Sequence, residues 1–156
     1  MMKHVFFLIL MVSSFILFSQ SKEEIDINTF IDQWHRDAAS VDREAYFGKI
    51  DEGGIFIGTD ATEVWTKQEF YDWAEPQFTG DGKAWDFKAI DRNVYLGEKS
   101  NYAWFDELLS FSGGTLRGSG VLIKRKDGWK IAHYVLSLPV PNDKFRAVME
   151  AMKNKE

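Results

Sequence analysis

The chain has 156 residues, room for one compact domain rather than two. It has no Cys, which excludes a disulfide framework, a zinc–thiolate or iron–sulfur site and a thiol nucleophile. A formal charge of −5 disfavours broad binding to nucleic acid or anionic lipid, and 15% aromatics with only 3 Pro argue against disorder.

Lys3 lies in a short N-terminal stretch without acids, and Val5 to Phe18 is apolar apart from Ser13 and Ser14. Ser19, Gln20 and Ser21 follow, small and polar. This succession predicts a secretory signal peptide over residues 1–19, and hence an exported protein, periplasmic or secreted. The apolar run of about 14 residues falls short of the ~20 that a spanning helix wants, so no membrane attachment is expected after cleavage. Residues 20–156 read as a single domain.

Ser21 and Glu24 have capping-box spacing, which predicts a helix from about Lys22. Its apolar stripe is Ile27, Phe30, Ile31, Trp34 and Ala38. Asp42 caps a second, shorter helix reaching about Phe47. Asp51 to Gly54 reads as a turn, Ile55 to Ile57 as a short strand and Gly58 to Thr62 as a loop. Thr66 and Glu69 repeat the capping box, so a third helix is expected over about Lys67 to Glu75, stopped by Pro76.

The period then changes. Turn signals bound four runs, Lys83–Leu96, Asn101–Phe111, Thr115–Lys126 and Gly128–Val140, each rich in aromatic and β-branched residues. Short connections make these an antiparallel meander. At about 11 to 14 residues they are twice the usual length and must coil, with Gly118 and Gly120 as natural bends. Asn142 or Asp143 caps a last helix carrying Phe145, Val148, Met149 and Met152. The expected class is α+β: a curved antiparallel sheet wrapped around N-terminal helices.

Three segments carry a resemblance: Phe56-Ile57-Gly58-Thr59-Asp60-Ala61-Thr62-Glu63-Val64-Trp65, Ala103-Trp104-Phe105-Asp106-Glu107, and Gly128-Trp129-Lys130-Ile131-Ala132-His133-Tyr134 running on to Ser137-Leu138-Pro139. In this order and spacing the chain resembles the SnoaL-like domains of the nuclear-transport-factor-2-like superfamily, which has a cystatin-like fold. The resemblance covers residues 22–140. It implies an apolar conical pocket and a homodimer. The superfamily includes isomerases, dehydratases, cyclases and proteins that only bind or dimerise.

Strand alternation sorts the polar candidates. On the last strand Trp129, Ile131, His133, Val135 and Ser137 share one face. Lys130 needs water, so His133 is expected inward. Tyr102, Trp104, Asp106 and Leu108 share one face of a middle strand, and Ala103, Phe105, Glu107 and Leu109 the other; periodicity does not choose between them. Asp106, Arg117 and His133 come from successive strands and can be cross-strand neighbours, as an acid–base group or as a structural ion pair. Trp34, Tyr46, Phe56, Trp65 and Trp104 are the candidate ligand-binding aromatics, with packing as the alternative. Asp60 and Glu63 are candidates for the pocket mouth or for capping the turn. His35 reads as a surface residue. His35 and His133 lack metal-ligand spacing, and no phosphate loop or nucleophile elbow is present, so neither metal nor cofactor is expected.

Lys124-Arg125-Lys126 reads as a solvated hairpin that discourages edge pairing. Ala132, Tyr134 and Leu136 are expected on an apolar outer sheet face, which predicts a homodimer interface. The functional expectation is an exported domain that binds a small, largely apolar molecule in its cone. The alternatives are a cyclase, isomerase or dehydratase using Asp106 and His133 with Arg117, and a dimerising interaction module with a filled interior.

Overall fold

The computed structural model describes residues 21–79 and 84–153, and the expected signal peptide lies outside them. Three helices, α1 (Lys22–Ala39), α2 (Arg43–Gly48) and α3 (Lys67–Trp73), precede most of a six-stranded sheet. Its strands are β1 (Ile50–Ile57), β2 (Val64–Thr66), β3 (Lys88–Leu96), β4 (Tyr102–Phe111), β5 (Gly114–Arg125) and β6 (Gly128–Ser137). Helix α4 (Phe145–Lys153) ends the described chain.

Local chemistry sets the helix starts. Ser21 accepts from the Glu24 amide while Glu24 reaches back to the Ser21 amide, and Thr66 with Glu69 repeats that exchange. Asp42 caps α2 through the Ala45 amide. Helix α3 stops at Trp73, earlier than the sequence suggests, because Pro76 sits inside a 3₁₀ turn over Glu75–Phe78.

The strand order is β2-β1-β6-β5-β4-β3. The four-strand meander is antiparallel throughout, as the turn signals require. Strand β1 joins it in parallel, with Phe56 opposite Tyr134 and Ile57 opposite Val135. The sheet is therefore mixed at that junction: the helix and strands between β1 and β6 form the long crossover that parallel pairing needs. The expected turn at Asp51 to Gly54 is strand, carrying an irregularity between Ile50 and Ile55. A side chain on Gly54 would meet the Asp51 and Ile131 carbonyl oxygens, which explains the glycine without a turn. Strand β2, only three residues, has no counterpart in the sequence reading.

Helices α1 to α3 pack against one face of the sheet. Ile27, Ile31, Trp34 and Ala38 of α1, with Tyr46, Phe47 and Phe70, join Ala103, Phe105, Leu122, Ile131 and Tyr134 in one buried cluster. Each ring buried there contributes roughly 1.5–3 kcal/mol, so aromatic packing can replace disulfides as the source of stability. Among the described residues no helix is long and apolar enough to cross a membrane.

One extra residue decides which polar groups enter this core. Val121 pairs with His133, but its neighbour Leu122 pairs with Ile131, leaving Ala132 as an insertion in β6. Trp129 and Ile131 face inward as alternation predicts. Beyond the bulge the phase reverses, so Tyr134 and Leu136 turn in and His133, Val135 and Ser137 turn out. Tyr134 is 1% exposed, which removes it from the outer face where the sequence reading put it.

Candidate functional site

The inner face of the sheet carries one acid. Glu107 lies on β4 between Phe105 and Leu109, is 1% exposed, and pairs in register with Arg92 on β3 and Gly118 on β5. Its Oε1 is 2.9 Å from His35 Nε2 and accepts from the Tyr134 hydroxyl at 3.0 Å. Its Oε2 accepts from Arg92 Nε at 2.9 Å. Arg92 also donates to Asp32 Oδ1 at 2.8 Å and to the Asn28 carbonyl, which ties β3 to α1. Three elements, α1, β3 and β6, thus converge on a carboxylate carried by a fourth.

The electrostatics follow from burial. Desolvation pushes the Glu107 carboxyl up, but the His35 hydrogen bond and charge, with the Arg92 guanidinium, outweigh it and hold the group below its ordinary range. Burial, reinforced by the Glu107 charge, raises the Tyr134 phenol well above its usual value. Burial does the same to Tyr46, partly offset by a hydrogen bond from Trp85. An ionised Glu107 accepts only, so His35 Nε2 carries the hydrogen between them. The opposite ring nitrogen, Nδ1, is buried and has no hydrogen-bond partner among the described residues.

Two glycines make room for this arrangement. A Cβ on Gly118 would lie 2.1 Å from the Tyr134 hydroxyl oxygen and 3.0 Å from Glu107 Cγ. A Cβ on Gly120 would lie 2.6 Å from the Phe105 ring. Tyr134 crosses over Gly118 to reach the carboxylate.

Aromatic rings fill most of the space between helices and sheet. Trp34 stacks on Tyr46 at 5.0 Å and meets the Tyr134 ring edge-on at 4.8 Å. Trp85 stacks against Phe70 at 5.9 Å and contacts Phe78. Beside them remains an apolar cavity of about 150 Å³, lined by Phe56, Trp65, Phe70, Trp73, Trp85, Phe87 and Leu136, with Gly58, Thr59 and Glu63. Thr59 and Trp73 are exposed at its rim. A second cavity, about 210 Å³, is lined by Asp32, His35, Arg36, Ala39, Asp86, Phe87, Lys88 and Ala89. Phe87 borders both. Among the described residues no group of three His, Cys, Asp or Glu is placed to hold a metal ion.

The sequence candidates fall on several surfaces. Asp106, Arg117 and His133 all lie on the outer face, away from the helices, and in three different pairing rows. Asp106 is opposite Ser119, Arg117 opposite Leu108 and Ser137, and His133 opposite Val121. Asp106 accepts from Asn93 Nδ2 and the Tyr95 hydroxyl, each at 3.3 Å. The inward expectation for His133 is corrected by the β6 bulge, and the cross-strand trio is not assembled. Of the aromatics, Phe56 and Trp65 line the apolar cavity. Trp34 and Tyr46 are packed in the core, and Trp104 is 44% exposed on the outer face. Asp60 accepts from the Thr62 amide and hydroxyl and Glu63 accepts from the Asp60 amide, so both organise the turn while Glu63 also borders the cavity. Lys124 and Arg125 in the basic hairpin pair with Glu23 and Asp51.

None of Glu107, His35, Arg92 and Tyr134 stands among the catalytic or ligand-binding candidates of the sequence, although two of them left a signal. His35 is four residues after Ile31 and three before Ala38, on the apolar stripe of α1, and is 4% exposed rather than at the surface. Glu107 interrupts the alternation Ala103, Phe105, Leu109, the more apolar of the two faces of β4.

The SnoaL-like domain family matches residues 27–141, most of the chain. The chain belongs to the SnoaL-like family. Solved structures similar to this SnoaL-like domain share its fold at low identity. A nuclear-transport-factor-2-like protein from Pseudomonas putida aligns with a TM-score of 0.64 and 14% identity, over 78% of this chain and 89% of that one. Another from Shewanella oneidensis gives 0.62 and 13%, over 72% and 97%. A protein with a cystatin-like fold from Nostoc punctiforme gives 0.60 and 10%, over 74% and 90%. No curated protein matches the SnoaL-like domain in sequence.

Proposed function

We propose that this SnoaL-like domain binds a small, largely apolar molecule of about one aromatic ring. The observation that carries this is the cavity of about 150 Å³ walled by Phe56, Trp65, Phe70, Trp73, Trp85 and Phe87. An apolar space of roughly this volume suffices for a benzene-sized guest. Flat rings around it favour a flat guest through stacking. Thr59 and Glu63 supply the few polar atoms at one side. Native mass spectrometry of the purified protein, with titration of single-ring hydrocarbons followed by Trp fluorescence, tests it. Saturable binding that weakens at least tenfold in Phe70→Ala or Trp73→Ala supports the reading; absence of any saturable binding defeats it.

A second reading is proton transfer. A carboxylate fixing one imidazole nitrogen while the other is unpartnered is the arrangement a general base needs. In this reading His35 is the base and Glu107 its positioning partner, in place of His133 and Asp106. Turnover of an enolisable ketone that disappears in Glu107→Gln would favour it.

The same reading keeps the protein exported, on the signal-peptide pattern of residues 1–19. It also makes the protein a homodimer through the outer sheet face. That face presents Tyr95, Tyr102, Trp104 and Val121, each 37% exposed or more. Trp104 lies between Tyr95 and Tyr102 with its ring stacked on both, an apolar patch of the kind that interfaces cover.

A further inference from the structure

The apolar cavity and the cavity beside α1 and β3 have one lining residue in common. Phe87 borders the apolar cavity on one side and the His35 cavity on the other. It sits in the irregular stretch just before β3, half-buried, with its ring edge-on to His35 at 5.9 Å and to Phe111 at 5.1 Å. Edge contacts of this kind add about 0.5–1.5 kcal/mol each beyond the area that the ring buries, and the Phe87 ring is only half-buried.

The His35 cavity differs in chemistry from its neighbour. Asp32, Arg36, Asp86 and Lys88 surround it, where the other is walled by indoles and phenyl rings. His35 is 4% exposed and its Nδ1 has no hydrogen-bond partner among the described residues. A buried polar atom left unpaired costs on the order of 1–3 kcal/mol, which a suitable ligand atom would recover. With Nε2 committed to Glu107, Nδ1 accepts a hydrogen bond in the neutral ring and donates one in the protonated ring. A hydroxyl group satisfies either form, because it both donates and accepts.

We propose that the two cavities are halves of one binding site divided by the Phe87 ring, and that its ligand is a small aromatic alcohol or phenol whose ring sits among the tryptophans and whose hydroxyl bonds His35 Nδ1. This deepens the binding reading above and rests on it. Phe87 turns aside to join the halves. The apolar half gives affinity, and the His35 half selects for the hydroxyl. A site built to bond a hydroxyl rejects the analogue without one, because its own polar atom is then left unpaired.

The test uses 4-ethylphenol and its methyl isostere 4-ethyltoluene, titrated into the wild-type protein by Trp fluorescence and calorimetry. The expected result is binding of both, with the phenol at least about tenfold tighter, as one hydrogen bond to a carboxylate-paired imidazole warrants. His35→Phe should lose that preference while keeping 4-ethyltoluene affinity within about twofold. Should His35→Phe fail to fold, imidazole ¹⁵N NMR of the wild type decides: 4-ethylphenol should move the His35 Nδ1 resonance and 4-ethyltoluene should leave it. Equal affinities, an unmoved Nδ1 resonance, or a preference that survives in folded His35→Phe would overturn the subsite while the apolar cavity stands. Failure of both compounds to bind would overturn the cavity reading and the subsite with it.

Discussion

Gly118 lies directly beneath the Tyr134 hydroxyl, so close that a methyl group there would come within 2.1 Å of the oxygen. The absence of one side chain on β5 is thus what lets a tyrosine from β6 reach a carboxylate on β4. Gly118→Ala should push Tyr134 off Glu107 and cost about 1–3 kcal/mol in urea unfolding. Tyr134→Phe alone should cost about 1 kcal/mol for the lost hydrogen bond. The double variant should cost less than the sum, because Phe removes the nearest colliding atom and leaves the ring Cζ at 2.8 Å. Strict additivity would mean the two positions do not touch.

Acid should weaken the fold through Glu107. Its carboxyl is held below the ordinary value of 4.5, because His35 and Arg92 outweigh the cost of burial. A group depressed in the folded state adds stability above its unfolded pKa, and that stability is lost as pH falls through the folded pKa. Unfolding free energy should therefore decline on acidification below about pH 4.5. Glu107→Gln should be less stable at neutral pH and show a flatter acid limb in denaturant titrations across pH.

Removing the charge altogether has a larger consequence. Glu107→Ala leaves Arg92 and His35 in the interior without their shared acceptor. Breaking one side of a buried charged set costs on the order of 3–5 kcal/mol, a large share of a small domain's stability. Thermal unfolding by circular dichroism should show a fall of more than ten degrees or no cooperative transition at all.

Alkaline titration should divide the tyrosines. Burial holds Tyr46 and Tyr134 well above the usual phenol value of 10.0. Of the 5 Tyr, these two should ionise only as the fold opens, giving a late, cooperative step in the phenolate absorbance. Tyr134→Phe should halve that step. A smooth titration of all tyrosines near their usual value would contradict the packing described here.

The outer sheet face should hold two copies together. Sedimentation at micromolar concentration is expected to give twice the monomer mass. Trp104→Glu, which puts a charge in the middle of the exposed Tyr95–Trp104–Tyr102 stack, should give folded monomers whose unfolding midpoint no longer depends on protein concentration. A wild-type monomer would remove the dimer proposal.

Helix starts, the four-strand meander and the family were legible from the residues alone, because capping boxes, turn dipeptides and two-residue alternation act over a few neighbours. Alternation also says that Asp106 and Glu107 must face opposite ways. It does not say which faces the helices, and the more apolar company of Glu107 was the one hint available. What enters the core was decided elsewhere. The single inserted residue at Ala132 reverses the last half of β6, turning His133 out and Tyr134 in. Pairing of Arg92 with Glu107 depends on the register between β3 and β4, and the approach of His35 depends on how α1 lies across them. These are relations between segments far apart in sequence, set by packing against partners that no local pattern contains. A period of two or of 3.6 can name a face, but the tertiary fold chooses what that face meets.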